Sequence, residues 1–199
     1  MIKNIVFDIG NVLIGFDWEQ YILSLYDKDT AYKVSAAMFF NGHWTELDRA
    51  VLPVEEILEL FYSEAPEYKK EIKEAFDRVG ECVKKCEWVV PMLEALKERG
   101  YKVYYLSNMS EHIINSNPDA FAFVEHMDGG IFSCDVKAIK PDEDIYHKLI
   151  NKYGLVPEEC VFIDDHKENT DVAESIGMKS IVFENREQAA ADLKQLLQA

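Results

Sequence analysis

The sequence predicts an α/β fold: a Rossmann-like parallel sheet with helices on both faces, plus an inserted all-helical cap subdomain. Three observations predict it. Short apolar, β-branched runs recur at residues 2–9, 101–107, 130–133, 160–164 and 180–183, the signature of strands buried on both faces. Helical patterns separate the later runs, as βαβ units require. Between the first and second runs, from about residue 16 to 85, there are only helical patterns and no convincing strand.

Each element has a local reason. In the first run, IKNIVFDI, the apolar stretch IVF leads straight into Asp8, with Gly10 two residues on. The long interval holds WEQYILSLY, TAYKVSAAMFF, PVEEILELFY and PEYKKEIKEAFDRV, and Pro53 opens the third of these as a helix-starting residue. Gly100 closes LEALKERG just before the second run, and Gly177 closes DVAESIG just before the last. Pro141 opens a helix over 141–153, and further helices are expected over 167–176 and 187–198. The expected division is a core of residues 1–15 and 86–199 and a helical cap of residues 16–85. A structureless loop of that length inside one domain would be uncommon.

Bulk properties exclude several function classes. A chain of 199 residues with 48% hydrophobic content buries one core with a smaller appended layer. A net charge of −16 opposes nucleic acid and anionic membrane surfaces, so no nucleic acid or membrane partner is expected. Any bound phosphate needs a locally built site. No apolar stretch reaches the roughly 18 residues that span a bilayer. The start, MIKNIVFDIG, lacks the pattern of a signal peptide. A cytoplasmic protein, a monomer or weak homodimer, is the expectation. Cys82 and Cys86 share a helical face, but no second pair or histidine completes a metal site, and with Cys134 and Cys160 they read as small hydrophobes in a reducing compartment.

Ligands of an open parallel sheet bind outside the carboxyl ends of its strands. The residues that follow each apolar run are therefore the candidates. They are Asp8, then Ser107 and Asn108, then Lys140 in KAIKPDEDIY, then Asp164 and Asp165. Two like charges 4 Å apart repel by about 4 kcal/mol at an effective dielectric near 20. Three carboxylates on one rim thus call for a cation, and oxygen ligands select Mg²⁺. A hydroxyl, an amide and a lysine beside them suit a phosphate.

These residues resemble the haloacid dehalogenase (HAD) superfamily of aspartyl-nucleophile hydrolases. VFDIGNV, VYYLSN, IKPDEDIY and VFIDDHKEN occur in the family's order, each at an expected strand end or helix start. The DIGNV, LSN and IDD forms are most similar to the bacterial alpha-D-glucose-1-phosphate phosphatase branch. The resemblance implies that Asp8 is the nucleophile and a Mg²⁺ ligand, with the Gly10 carbonyl as a second ligand. Asp165, followed four residues later by Asn169, is the preferred direct ligand, and Asp164 binds directly or through water. Ser107 and Lys140 hold the phosphoryl oxygens, Lys140 also countering charge on Asp8, and Asn108 shapes the same pocket. Asn169 stands behind the ligands.

One position departs from the family pattern. Most such phosphatases carry a second aspartate where this chain has Gly10, and it serves as general acid and base. That function is typically worth about 10²–10⁴-fold in rate. Three readings follow: a substrate with a good leaving group, such as a sugar 1-phosphate; a substitute group, Asp17 and His43 being nearest in sequence; or a catalytically weak relative that binds a phosphometabolite or a protein. A phosphomutase needs the missing acid/base, and a 2-haloacid dehalogenase has no use for the metal cluster. The expected activity is a Mg²⁺-dependent phosphatase acting on small phosphorylated metabolites, sugar phosphates such as glucose 1-phosphate, through an aspartyl-phosphate on Asp8. His166 adjoins the acidic pair but reads as a solvated loop residue. Trp18, Phe39, Phe40 and Trp44 read as the cap's own core.

Overall fold

Successive side chains on a strand point to opposite faces, so a strand that is apolar at every position needs cover on both sides. The structure, a computed structural model, describes residues 1–198. In chain order its elements are β1 (Asn4–Phe7), β2 (Ile14–Phe16), α1 (Trp18–Leu25), α2 (Lys28–Phe39), α3 (His43–Arg49), α4 (Val54–Glu64), α5 (Lys69–Asp77), β3 (Val83–Lys85), α6 (Val89–Glu98), β4 (Lys102–Ser107), α7 (Glu111–Ser116), β5 (Gly129–Phe132), α8 (Ser133–Val136), α9 (Glu143–Tyr153), β6 (Cys160–Asp164), α10 (Lys167–Ser175), β7 (Lys179–Val182) and α11 (Arg186–Gln198).

Five strands form one parallel sheet in the order β5-β4-β1-β6-β7. Its two faces are separately packed, as the alternation requires. Ile5 and Phe7 of β1 join Val89, Leu93 and Leu96 of α6 and Leu193 of α11. Val6, between them, faces the other way with Ile145, Tyr146 and Leu149 of α9 and Ala173 of α10. The expected Rossmann-like arrangement, with helices on both faces, is present. The two glycine stops also behave as read. At Gly100 (φ +90°) the Gly100 and Tyr101 N–H groups donate to the Lys97 and Leu96 carbonyls. At Gly177 (φ +97°) the Gly177 and Met178 N–H groups reach Glu174 and Ala173 in the same way. Both are Schellman ends, whose left-handed residue favours glycine.

Between β2 and β3 lie α1 to α5. They bury Ile22, Val34, Met38, Ile57, Phe61, Ile72 and Phe76 together. The helical reading of this stretch missed two features. β2 and β3 pair antiparallel, Ile14 opposite Lys85 and Phe16 opposite Val83, so a small sheet ties its two ends together. Strands of three residues are too short to show a period, and only their long-range pairing defines them. The seven-residue α3 was missed for the same reason of length. It starts after Gly42 (φ +83°) and ends at Ala50 (φ +54°), two positive-φ residues that isolate it from its neighbours. All four cysteines are free thiols. Among the described residues no helix is long and apolar enough to cross a membrane.

Candidate active site

β1 lies between β4 and β6, so the residues that follow these three strands become neighbours. Asp8 leaves β1 with its N–H donating to the Ile163 carbonyl of β6 (2.8 Å). Ser107 ends β4 and Asp164 ends β6. Lys140 reaches them from the loop before α9, and its backbone is fixed from both sides by one side chain. The Asn108 amide donates to the Lys140 carbonyl (2.9 Å), and its Oδ1 accepts from the Lys140 N–H (2.7 Å). Lys140 Nζ then stands 2.8 Å from Asp8 Oδ1 and 2.6 Å from Asp164 Oδ2. A pocket of about 170 Å³ opens over this cluster, its lining including Asp8, Gly10, Ser107, Asn108, Lys140, Asp165, His166 and Asn169.

The two adjacent aspartates are used differently. Asp164 is fully buried and spends both oxygens inside the protein. Oδ1 accepts from the His166 N–H (2.8 Å) and Asn169 Nδ2 (2.9 Å), and Oδ2 from Lys140 and again Asn169 (3.1 Å). Asp165 lines the pocket, with His166 Nε2 3.9 Å from its Oδ2. One oxygen each from Asp8, Asp164 and Asp165 falls within 4.8 Å of the others.

This charge arrangement is strained. At that separation each pair of carboxylates repels by at least about 3.5 kcal/mol at an effective dielectric near 20. Against three carboxylates stands one buried ammonium, which leaves two negative charges uncompensated. Burial pushes the Asp8 carboxyl up to about 6; Lys140 opposes that rise and Asp164 adds to it. Asp165 is also raised, by burial first, with His166 and Lys140 opposing and Asp164 adding. Burial works against the charge on Lys140, but Asp8 and Asp164 outweigh it and hold the ammonium above its ordinary value. Asp8 Oδ1 is buried and makes no aligned hydrogen bond, despite the nearby ammonium. An orphaned carboxylate oxygen, an all-oxygen donor set and an excess of two negative charges together fit a hard divalent cation.

Neither sequence candidate for the missing acid/base lies here. Asp17 caps α1 by accepting from the Gln20 N–H (3.0 Å), and His43 Nε2 lies 3.0 Å from Glu64. The pocket wall instead contains Asp48, Trp44 and Phe16. Trp44 and Asp48, four apart on α3, share one helical face. The signal for them was present in HWTELDR but too short to read as a helix. Trp44 also continues an aromatic row, 4.6 Å from Phe39, which stacks 4.4 Å from Trp18. Trp18 and Phe39 thus pack within the helices, as read, whereas Phe40 is largely exposed. A second cleft of about 220 Å³, between α6 and α11, is lined by apolar residues with Arg99, Arg186 and Lys194 and has no carboxylate or hydroxyl nucleophile.

The chain also matches known proteins along most of its length. The profile of the family described as haloacid dehalogenase-like hydrolase matches residues 2–177. The chain is 25% identical over 153 residues to flavin mononucleotide hydrolase 1 of Arabidopsis thaliana, covering 77% of this chain but 61% of that protein. It is 25% identical over 216 residues to D-ribitol-5-phosphate phosphatase of Bacteroides thetaiotaomicron, covering 99% of this chain and 97% of the other. A HAD-family enzyme of Bacteroides thetaiotaomicron, solved in complex with magnesium and inorganic phosphate, shares the fold with a TM-score of 0.70 at 20% identity, covering 95% of this chain and 99% of that one.

Proposed function

The chain belongs to the haloacid dehalogenase-like hydrolases, and from that premise we propose that it is a Mg²⁺-dependent phosphatase of small phosphorylated metabolites, with Asp8 as nucleophile. The observation that carries this reading is the convergence of Asp8, Asp164 and Asp165 on one point, with Lys140 wedged between the first two. The phosphatase named among the relatives and the neighbour holding magnesium and phosphate support it.

Asp8 and Asp165 would hold the metal, with the Gly10 carbonyl, while Asp164 keeps Lys140 and Asn169 in place. Mg²⁺ bound there supplies positive charge against the carboxylates and the phosphoryl oxygens. Asp8, at the end of a rigid strand, attacks phosphorus and forms an aspartyl-phosphate that water hydrolyses. Ser107 and Lys140 hold the phosphoryl oxygens, with Asn108 clamping Lys140 from behind. Residues 16–85 act as the cap over a core of residues 1–15 and 86–199, with the β2–β3 pair at the joint. The pocket's size suits a phosphate with a small organic group, and sugar phosphates such as glucose 1-phosphate are the proposed substrates.

Hydrolysis of p-nitrophenyl phosphate, with and without EDTA, tests this. The expected result is activity that chelation removes, that Mg²⁺ restores, and that Asp8→Asn abolishes without unfolding the protein. Activity indifferent to EDTA, or near wild type in Asp8→Asn, would overturn the reading. Halide release from a 2-haloacid in its place would also overturn it.

A further inference from the structure

We propose that Asp48, carried by α3, is the general acid and base of the phosphoryl transfer, taking the place left open at Gly10. The inference rests on the phosphatase reading above and goes beyond it.

Five titratable side chains line the pocket: Asp8, Asp48, Lys140, Asp165 and His166. Asp8 has the nucleophile's role, Lys140 stands between it and Asp164, and Asp165 and His166 follow β6 side by side. Asp48 enters from α3, held beside Ser133 at the end of β5. In phosphoryl transfer the attacking and leaving oxygens lie roughly in line across phosphorus. With Asp8 attacking from the end of β1, the leaving oxygen lies away from the sheet, and Asp48, carried by α3, is the pocket carboxylate that does not come from the end of a sheet strand.

The carboxylate is also well held. The Asp48 carbonyl accepts from Ser133 Oγ (2.6 Å), which in turn accepts from the Met109 N–H (2.9 Å). Two residues on, the Ala50 carbonyl accepts from Lys137 Nζ (2.7 Å), and between them Arg49 pairs with Asp142 (3.3 Å). Three successive residues are thus pinned to the sheet domain, and Asp48 is anchored through its main chain with its side chain left to the pocket. An ionised carboxylate there would repel an incoming phosphate, whereas a protonated one would not. Burial pushes the Asp48 carboxyl up to about 7, opposed by the Ser110 backbone and reinforced by Asp8. Other charged groups around it are Glu46 and Arg49 on its own helix, Asp135 on α8, Lys137 beyond it, and the pocket residues named above. On α4, Glu64 is engaged with His43.

The proton balance is complete. As Asp8 bonds to phosphorus and the ester P–O bond breaks, the Asp48 acid gives its proton to the departing alkoxide. The Asp48 carboxylate then takes a proton from water as that oxygen attacks the aspartyl-phosphate, which releases inorganic phosphate and restores both side chains. A supplied proton also removes the restriction to esters that leave easily.

The test is kcat/KM of Asp48→Asn on two phosphate esters, p-nitrophenyl phosphate, whose phenolate leaves unaided, and glycerol 2-phosphate, whose alkoxide does not. The amide is isosteric and keeps the Ser133 contact, so the urea midpoint should not fall at any pH, and it should rise where the buried carboxyl would otherwise have to ionise. The expected loss is about 10²–10⁴-fold on the alkyl ester and under roughly tenfold on the aryl ester. The wild-type fall in kcat/KM at high pH on the alkyl ester should disappear in the variant. An equal loss on both esters, a rise in KM alone, or no loss would overturn the assignment. Wild-type protein inactive on both esters would instead remove the phosphatase reading itself.

Discussion

Without metal, the Asp8 charge should make the folded protein less stable as pH rises, and Asp8→Asn should remove that cost. The magnitude follows from the structure. An Asp8 carboxyl raised from its ordinary 3.8 to about 6 keeps its proton in the folded state over a range where the unfolded chain has lost it. Folded protein then binds more protons than unfolded, so stability falls as pH rises through that range. At about 1.4 kcal/mol per tenfold change in proton affinity, the cost approaches about 3 kcal/mol above pH 7. Well below pH 3.8 both states are protonated and it vanishes. Urea unfolding in EDTA, wild type against Asp8→Asn, reads this directly. The variant's advantage should grow from well under about 1 kcal/mol at pH 4 to about 3 kcal/mol at pH 8. Adding Mg²⁺ at a hundred times its Kd should return about 2.7 kcal/mol to the wild type and much less to the variant. A pH-independent gap, or a variant less stable at pH 8, would mean that Lys140 compensates Asp8 fully. A cation would then have no electrostatic reason to bind between the carboxylates.

Two further substitutions probe the supports of the site. Asn169→Ala removes both amide hydrogen bonds to Asp164 (2.9 and 3.1 Å); the Mg²⁺ concentration for half-maximal activity should rise about 10–100-fold, and an unchanged titration would show that Asp164 holds its place without it. Gly80→Ala would put a Cβ 2.5 Å from the Ser116 carbonyl oxygen. Because that neighbour is backbone, the expected loss is about 1–3 kcal/mol or more in urea unfolding, and a loss under about 0.5 kcal/mol would show that the turn before β3 shifts freely.

What could be read in advance was local. Asp8, Ser107, Asp164 and Asp165 each sit within a residue or two of a strong apolar run, so the strands that make the sheet also deliver them to its edge. Their placement needs only a parallel sheet, and periodicity predicts one. Gly100 and Gly177 are likewise local, because a helix end is settled by a few residues. The split between Asp164 and Asp165 was not local. One became an internal anchor because Lys140, Asn169 and the His166 N–H all converge on it. Asn108, expected simply to shape the pocket, has its amide committed to the Lys140 main chain.

The sequence by itself determined the fold class, the order of the motifs and the departure at Gly10. Only the tertiary structure decided what faces that gap. Asp48 lies far from every motif, on a seven-residue helix without a readable period, and it reaches the pocket because Ser133, Lys137 and Asp142 seize residues 48–50. Neighbours along the chain dictate strand ends, but a side chain arriving from across a cleft is placed by contacts between distant segments, which no local pattern encodes.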